Sequence, residues 1–295
     1  GALSPLLNPA AESEVAWRRG LHFAARLRAC TSVSAMKHGP LPVGLYAITG
    51  GLGGLGLRTA VLLIEAGTAG VVLSSRSGHV GRQSLSIHRG VLRVVASDVS
   101  DAVDVQSLVS VTALVGVLHA AGVLHDKMLS SVAATKAAAV YAPKALAASH
   151  LSALAAPQEL EALGLFSSVA STFGNVGQAS YAAANAYLDA VALSHRLRGT
   201  LASSLQISAV IGVGMGAATF DEEQLDAMGA ISLDEFAACM SASIGTACSA
   251  AERTHAILAP ALASLKMVVS NASPAACAAS VPAAAASSLG QSLAL

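Results

Sequence analysis

Short apolar runs bounded by glycine alternate along this chain with longer segments whose apolar positions recur every three to four residues. Tyr46 to Ile48 forms one such run, and a glycine-rich turn and an amphipathic stretch from Leu57 to Ala66 follow it. That succession predicts a buried strand, a tight turn and a helix. A second run, Val71 to Leu73, predicts another strand, and Leu163 to Phe166 predicts a third that ends at Ser168. Tyr181 to His195 reads as a helix, and the uncharged segment after Leu201 as a buried parallel strand and loop rather than a membrane span. Strands without polar alternation, separated by helices, predict an α/β fold with a Rossmann-like, doubly wound parallel sheet.

The turn after the first strand carries Gly50, Gly51, Gly53, Gly54 and Gly56. Gly50, Gly54 and Gly56 stand where a tight turn and close backbone approach to a pyrophosphate are needed, and Gly51, Gly53 and Gly56 satisfy the dinucleotide-binding spacing by overlap. A ligand-free glycine loop has the same composition. The second strand ends at Ser75 and Arg76 instead of an acidic residue. A guanidinium there pairs with a 2′-phosphate, whereas an acid would bond the ribose hydroxyl of NAD, so the expected cofactor is NADPH.

Tyr181 and Asn185, four residues apart, share one face of the expected helix. With Ser168 at a strand end, a hydroxyl and a phenol could hold a carbonyl oxygen, one bonding it while the other delivers a proton. A small-residue helix packed on a sheet, with a half-buried tyrosine, accounts for the same spacing.

Several segments, in order, resemble the ketoreductase domains of modular polyketide synthases, in the short-chain dehydrogenase/reductase superfamily. They are Thr49–Gly56, Leu73–Gly78, Ser97–Asp101, Val117–Leu129, Ala142–Leu151 and Phe166–Ala190. Most of the superfamily carries Tyr-x-x-x-Lys; here Asn185 takes the second place and Lys144 lies 37 residues before Tyr181, as in synthase ketoreductases. The resemblance implies Tyr181 as general acid, Lys144 as the cation that lowers its pKa, Ser168 as the group bonding the ketone oxygen, and Asn185 as part of a proton relay. It implies cofactor contacts along the glycine turn, Leu55 included, and at Ser75, Arg76, Asp98 and Val99. His119, Ala120, Ala121 and Gly122 match the nicotinamide-ribose loop. Asp126 matches the diagnostic acid of B-type members, and Phe173 stands where A-type members place tryptophan, so a D-configured 3-hydroxyacyl product is favoured. His125 departs from the B-type pattern.

Net charge is zero, which gives no electrostatic case for nucleic acid. Cys30, Cys239, Cys248 and Cys277 have no C-x-x-C spacing, and the histidines form no H-E-x-x-H pair, so neither a disulfide framework nor a metal site is expected.

The expected domain boundaries are a remnant of the N-terminal structural subdomain and linker over 1–42, the ketoreductase domain over 43–265, and an Ala/Ser/Pro-rich linker over 266–295. The segment after Asp221 matches the family's lid helix, that after Leu225 its closing helix, and that after Thr254 its final strand. Two departures stand out. Only 21 residues separate Arg76 from Asp98, short for a crossover helix with both loops. The family's Trp-Gly-Pro-Trp segment is replaced by Ile207–Gly216. The implied activity is NADPH-dependent reduction of a β-ketoacyl thioester carried on an acyl carrier protein, beside neighbouring synthase domains. Reduction in fatty-acid synthesis, a stand-alone ketone reductase and a catalytically silent domain remain as alternatives. A cytoplasmic location is expected, with organelle targeting open because the chain resembles a fragment of a longer polypeptide.

Overall fold

The computed structural model describes residues 41–79, 91–110, 114–155, 160–227 and 229–244, with short strands at 16–18, 21–23, 256–259 and 267–270. One compact unit runs Ala29–Asn271. A second unit contains the antiparallel pair β1 (Ala16–Arg18) and β2 (Leu21–Phe23).

Within the larger unit, the apolar runs form parallel strands. They are β3 (Leu45–Thr49), β4 (Gly70–Ser75), β5 (Leu92–Ala96), β6 (Leu114–His119), β7 (Ala162–Ser168) and β8 (Ala202–Ile207). Two further strands, β9 (Ala256–Ala259) and β10 (Met267–Ser270), complete a sheet of order β10-β9-β8-β7-β6-β3-β4-β5. β9 runs parallel to β8, and β10 turns back antiparallel along β9. The expected linker therefore begins with a strand: Met267, Val268 and Val269 are an apolar run, two of them β-branched, of the kind that pairs at a sheet edge. The shortened crossover expected between Arg76 and Asp98 falls mainly on residues 80–90, outside the described residues.

Helices cover both faces of the sheet, because neighbouring strand residues point to opposite sides. Ile48, Leu73 and Phe166 face one core with Leu63, Phe236 and Met240. Their neighbours Ala47, Val72 and Leu165 face the other, against Val105, Leu151 and Leu188. The helices are α1 (Gly54–Glu65), α2 (Ala102–Ser110), α3 (Ala134–Tyr141), α4 (Ala147–Ala155), α5 (Ala170–Phe173), α6 (Ala179–Leu197), α7 (Gly214–Thr219), α8 (Glu222–Ala227) and α9 (Leu233–Ile244). The segment matched to the lid becomes α8, and the one matched to the closing helix becomes α9. A π-helical turn, Ala142–Leu146, joins α3 to α4 and carries Lys144. Such turns recur at functional sites because they re-aim side chains out of the regular helical register. No helix of the described residues is long and apolar enough to cross a membrane.

From β3 the chain winds one way through β4 and β5, and then the other way through β6, β7 and β8. The switch between β3 and β6 opens a crevice at the carboxyl ends of the strands, where doubly wound sheets take their ligands.

Candidate active site

Two adjoining clefts occupy that crevice. The first, about 300 Å³, is walled by the loops that leave β3, β4, β5 and β6. At its base Gly50 has φ +65°, and a Cβ there would lie 2.6 Å from the Ala121 backbone. Only glycine allows both the left-handed turn and this approach of the β3 and β6 loops. Gly53, Gly54, Leu55 and Gly56 line the cleft. The α1 N-terminus has no side-chain cap and no acidic residue in its first turn, leaving its N–H groups available to an anion. Ser75 and the exposed Arg76 come from the end of β4. Asp98 and Val99 come from the end of β5, and Ala120, Ala121 and Gly122 from the β6 loop. Asp98 also shapes its own turn, its Oδ1 accepting from Ser100 N at 2.9 Å.

Two residues expected to touch cofactor do not line this cleft. Gly51 is buried behind the turn, its N–H donating to the Ser74 carbonyl at 3.0 Å. His119 is completely buried. Its Nε2 donates to the Lys144 carbonyl at 3.0 Å, which leaves Nδ1 to accept from Thr49 Oγ1 at 2.6 Å. Burial and the nearby Lys144 cation push its pKa down to about 3, so the ring is neutral. His119 thus ties the end of β3 to the π-helical turn. Spacing alone could not separate that bracing role from a contact.

The second cleft, about 320 Å³, opens beyond β7 and β8 and shares Leu55, Ala120, Gly214 and Met215 with the first. Lys144, Ser168 and Tyr181 line it, and so does Phe173, which is 54% exposed at its rim. The three elements that carry the first three residues converge here. β7 delivers Ser168 at its last position, α6 presents Tyr181 in its first turn, and the π-helical turn directs Lys144 inward.

Ser168 Oγ accepts from Ala170 N at 3.2 Å, so its proton is left to donate elsewhere. Lys144 Nζ donates to the Phe166 carbonyl at 2.8 Å and stands 5.4 Å from the centroid of the Tyr181 ring. Gly122 makes room for this lysine, since a Cβ there would lie 2.7 Å from Lys144 Cε. Burial lowers the Lys144 pKa to about 8, with Asp189 opposing the fall. The Tyr181 hydroxyl is pushed up by burial; hydrogen bonds with Asn185 and Ser168 pull it back, and the Asp126 carboxylate adds to the rise. The lowering forces on the phenol come from the neighbouring hydroxyl and amide and burial outweighs them; Lys144 adds none to this titration because it sheds its proton before the phenol does, although it is charged at neutral pH. Asn185 is completely buried and its Nδ2 donates to the Tyr181 carbonyl at 2.8 Å, fastening the turn that holds the tyrosine.

Asp126 lies on the exposed loop after β6 and does not line the second cleft. It reaches the cleft through Gln178, whose Nε2 donates to Asp126 Oδ2 at 3.1 Å. Lys127 N also donates to the Gly177 carbonyl at 2.8 Å, anchoring that loop to the entry of α6. Sequence reading passed over Gln178, because a glutamine three residues before a tyrosine carries no spacing signal. It also passed over Met215 in the wall between the clefts. Among the described residues no group of His, Cys, Asp and Glu is placed to hold a metal, and Cys239 is a buried free thiol.

Comparison with known proteins agrees with this arrangement. The model of the KR domain family matches residues 44–212. The chain is 35% identical over 217 residues to the polyketide synthase GfsA of Streptomyces halstedii, covering 69% of this chain and 3% of the relative. It is 35% identical over 189 residues to the polyketide synthase-nonribosomal peptide synthetase phmA of Phaeosphaeria nodorum, covering 61% and 5%. The chain therefore spans a small fraction of these multidomain relatives. Among solved structures, the first ketoreductase of the tylosin polyketide synthase superposes with TM-score 0.71 at 30% identity, over 83% of this chain and 55% of that one. An A1-type ketoreductase gives TM-score 0.71 at 28% identity, over 95% and 60%. With the family model covering more than half of the sequence, this chain belongs to the KR domain family, the ketoreductases of polyketide synthases within the short-chain dehydrogenase/reductase superfamily.

Proposed function

We propose that this domain reduces a β-ketoacyl thioester, tethered to an acyl carrier protein, to the 3-hydroxyacyl thioester with NADPH. The observation that carries the reading is the meeting of Lys144, Ser168 and Tyr181 in a cleft that opens onto the glycine-lined one. The first cleft suits a dinucleotide. It combines an uncapped helix N-terminus, a turn that a Cβ would fill, and Arg76 where a 2′-phosphate would lie. Bound there, NADPH supplies the hydride.

The residues of the chain manage the oxygen and the proton. The Ser168 hydroxyl, which shares a hydrogen bond with Tyr181, turns its proton to the ketone oxygen and fixes its position. Tyr181, held neutral by burial, keeps its own proton ready for the same oxygen. As that oxygen gains negative charge it becomes far more basic than a phenolate, so proton transfer from the phenol runs downhill. The Lys144 ammonium then favours the phenolate left behind.

Arg76→Ala is expected to weaken NADPH binding by about 10- to 100-fold, the loss of one charge-assisted hydrogen bond, while NADH binding stays unchanged. Parallel fluorescence titrations with the two cofactors measure this. Equal weakening of both would remove Arg76 from phosphate recognition.

The Asp126–Gln178 hydrogen bond brings the B-type-like acid to the edge of the second cleft, which supports a D-configured alcohol as product. Chiral analysis of the reduced thioester tests that stereochemistry, and a pure L-alcohol would overturn it.

A further inference from the structure

Tyr181, Asn185 and Asp189 follow one another at four-residue intervals on α6, so the face that presents the phenol continues two turns further to a carboxylate. Three donors from two other elements converge on it. Ser171 Oγ, in α5, donates to Asp189 Oδ2 at 2.7 Å. From β8, Gln206 Nε2 donates to the same oxygen at 2.7 Å, and Ser204 Oγ to Oδ1 at 2.5 Å. The hydroxyl of Ser171 also lies 2.8 Å from the Ser168 carbonyl, so its one proton is shared between that carbonyl and Asp189. Thr172 closes the ring by donating to Gln206 Oε1 at 2.7 Å. The strand end that bears Ser168 and the short helix after it are thereby clamped to the helix that bears Tyr181.

We propose that Asp189 is a positioning residue that sets Ser168 against Tyr181, acting through Ser171 and the β8 pair Ser204 and Gln206. The inference rests on the reductive reading of the site and adds to it a residue that lines neither cleft. A four-residue helix has too few internal hydrogen bonds to hold its own place. Without the clamp, the segment after Ser168 would keep only its own backbone bonds and that of Val169 N to the Ile207 carbonyl at 3.1 Å, and the turn would loosen. A carboxylate suits the role because it accepts from several donors at once and has no hydrogen to misdirect. The same charge favours the ammonium of Lys144 and the guanidinium of Arg196, two cations that burial disfavours.

The test compares Asp189→Ala, Asp189→Asn and Ser171→Ala in the full chain by two readouts. Hydrogen exchange is followed at the amides of Ala170, Thr172, Phe173 and Gly174, which bond within this turn. NADPH-dependent turnover of a β-ketoacyl thioester is measured beside it. Asp189→Ala should speed exchange in the turn and lower kcat on the order of 10²-fold, as a displacement of about 1 Å would. KM and NADPH affinity should stay near the wild-type values. Ser171→Ala should move both readouts the same way by a smaller factor, and it carries the test if Asp189→Ala does not fold. Asp189→Asn keeps one oxygen for Ser171 and Gln206, while Ser204 can turn to accept from the new amide, so it should restore most of the protection. Unchanged exchange in both alanine variants would overturn the proposal. So would faster exchange that extends equally through α1, because the residue would then hold the whole domain and not the site. A wild-type chain that does not turn over would refute the reductive reading, while the exchange result would still decide the clamp.

Discussion

Tyr181→Phe is expected to lower turnover by about 10²- to 10⁴-fold, the range of a general acid, while NADPH affinity is unchanged. Among the described residues lining the second cleft, the phenol combines a transferable proton with a hydrogen bond to Ser168, the group proposed to hold the ketone oxygen. Lys144 gives one of its three N–H groups to the Phe166 carbonyl and stands over the tyrosine ring, and Asn185 is buried behind the tyrosine. Phenylalanine keeps the ring that fills the cleft wall, so the fold and the glycine-lined cleft are untouched. Steady-state kinetics beside a cofactor titration separate the two effects. Near-wild-type turnover in the variant would remove Tyr181 from proton delivery.

Lys144→Met is expected to move activity and stability in opposite directions. Two unit charges about 5–6 Å apart interact by about 3 kcal/mol at an effective dielectric of ~20, which sets the scale of what the ammonium, 5.4 Å from the centroid of the tyrosine ring, gives a developing phenolate. Its removal should therefore cost on the order of 10² in turnover. Burying that cation lowers its pKa from 10.5 to about 8, a penalty of roughly 3 kcal/mol at neutral pH. Methionine lifts the penalty but leaves the Phe166 carbonyl without its donor, at about 1–2 kcal/mol. The variant should thus be more stable than the wild type by about 1–2 kcal/mol at pH 7.

The pH dependence has a definite sign. Below pH 8 both folded and unfolded chains hold the Lys144 proton, and the full penalty is present. Between about 8 and 10.5 the unfolded chain holds more protons, so wild-type stability rises with pH and the advantage of the variant shrinks. Denaturant melts of both proteins at pH 7 and pH 10 check this. A variant that is less stable at pH 7 would show that the hydrogen bond outweighs the buried charge.

The β3–turn–α1 unit was legible in the sequence because three signals coincide there: an apolar run, clustered glycines and a helical period. The Tyr181–Asn185 face was legible for a similar reason, since a four-residue interval is one helical turn whatever the tertiary setting. Extending the same interval once more reaches Asp189, but its role depends on Ser171, Ser204 and Gln206, which only the packing of α5 and β8 brings together. His119 and Gly51 match the motif but do not line the first cleft. A motif fixes where the backbone runs but not which groups turn inward: the His119 ring is taken up by Thr49 and the Lys144 carbonyl, and the Gly51 N–H by the Ser74 carbonyl. The balance at Tyr181 was likewise hidden. The sequence identifies the cation, whereas the burial that outweighs the lowering forces on the phenol is a property of the closed cleft. β10 was unreadable against its Ala- and Ser-rich surroundings, because a four-residue strand gives too short a pattern to rise above them.

If the two clefts act as one reductase site, the wild-type chain mixed with NADPH and a β-ketoacyl thioester should oxidise the cofactor and release hydroxyacyl product in step. Following both together should give equal amounts of NADPH consumed and 3-hydroxyacyl thioester formed. Tight NADPH binding with neither oxidation nor product would contradict it.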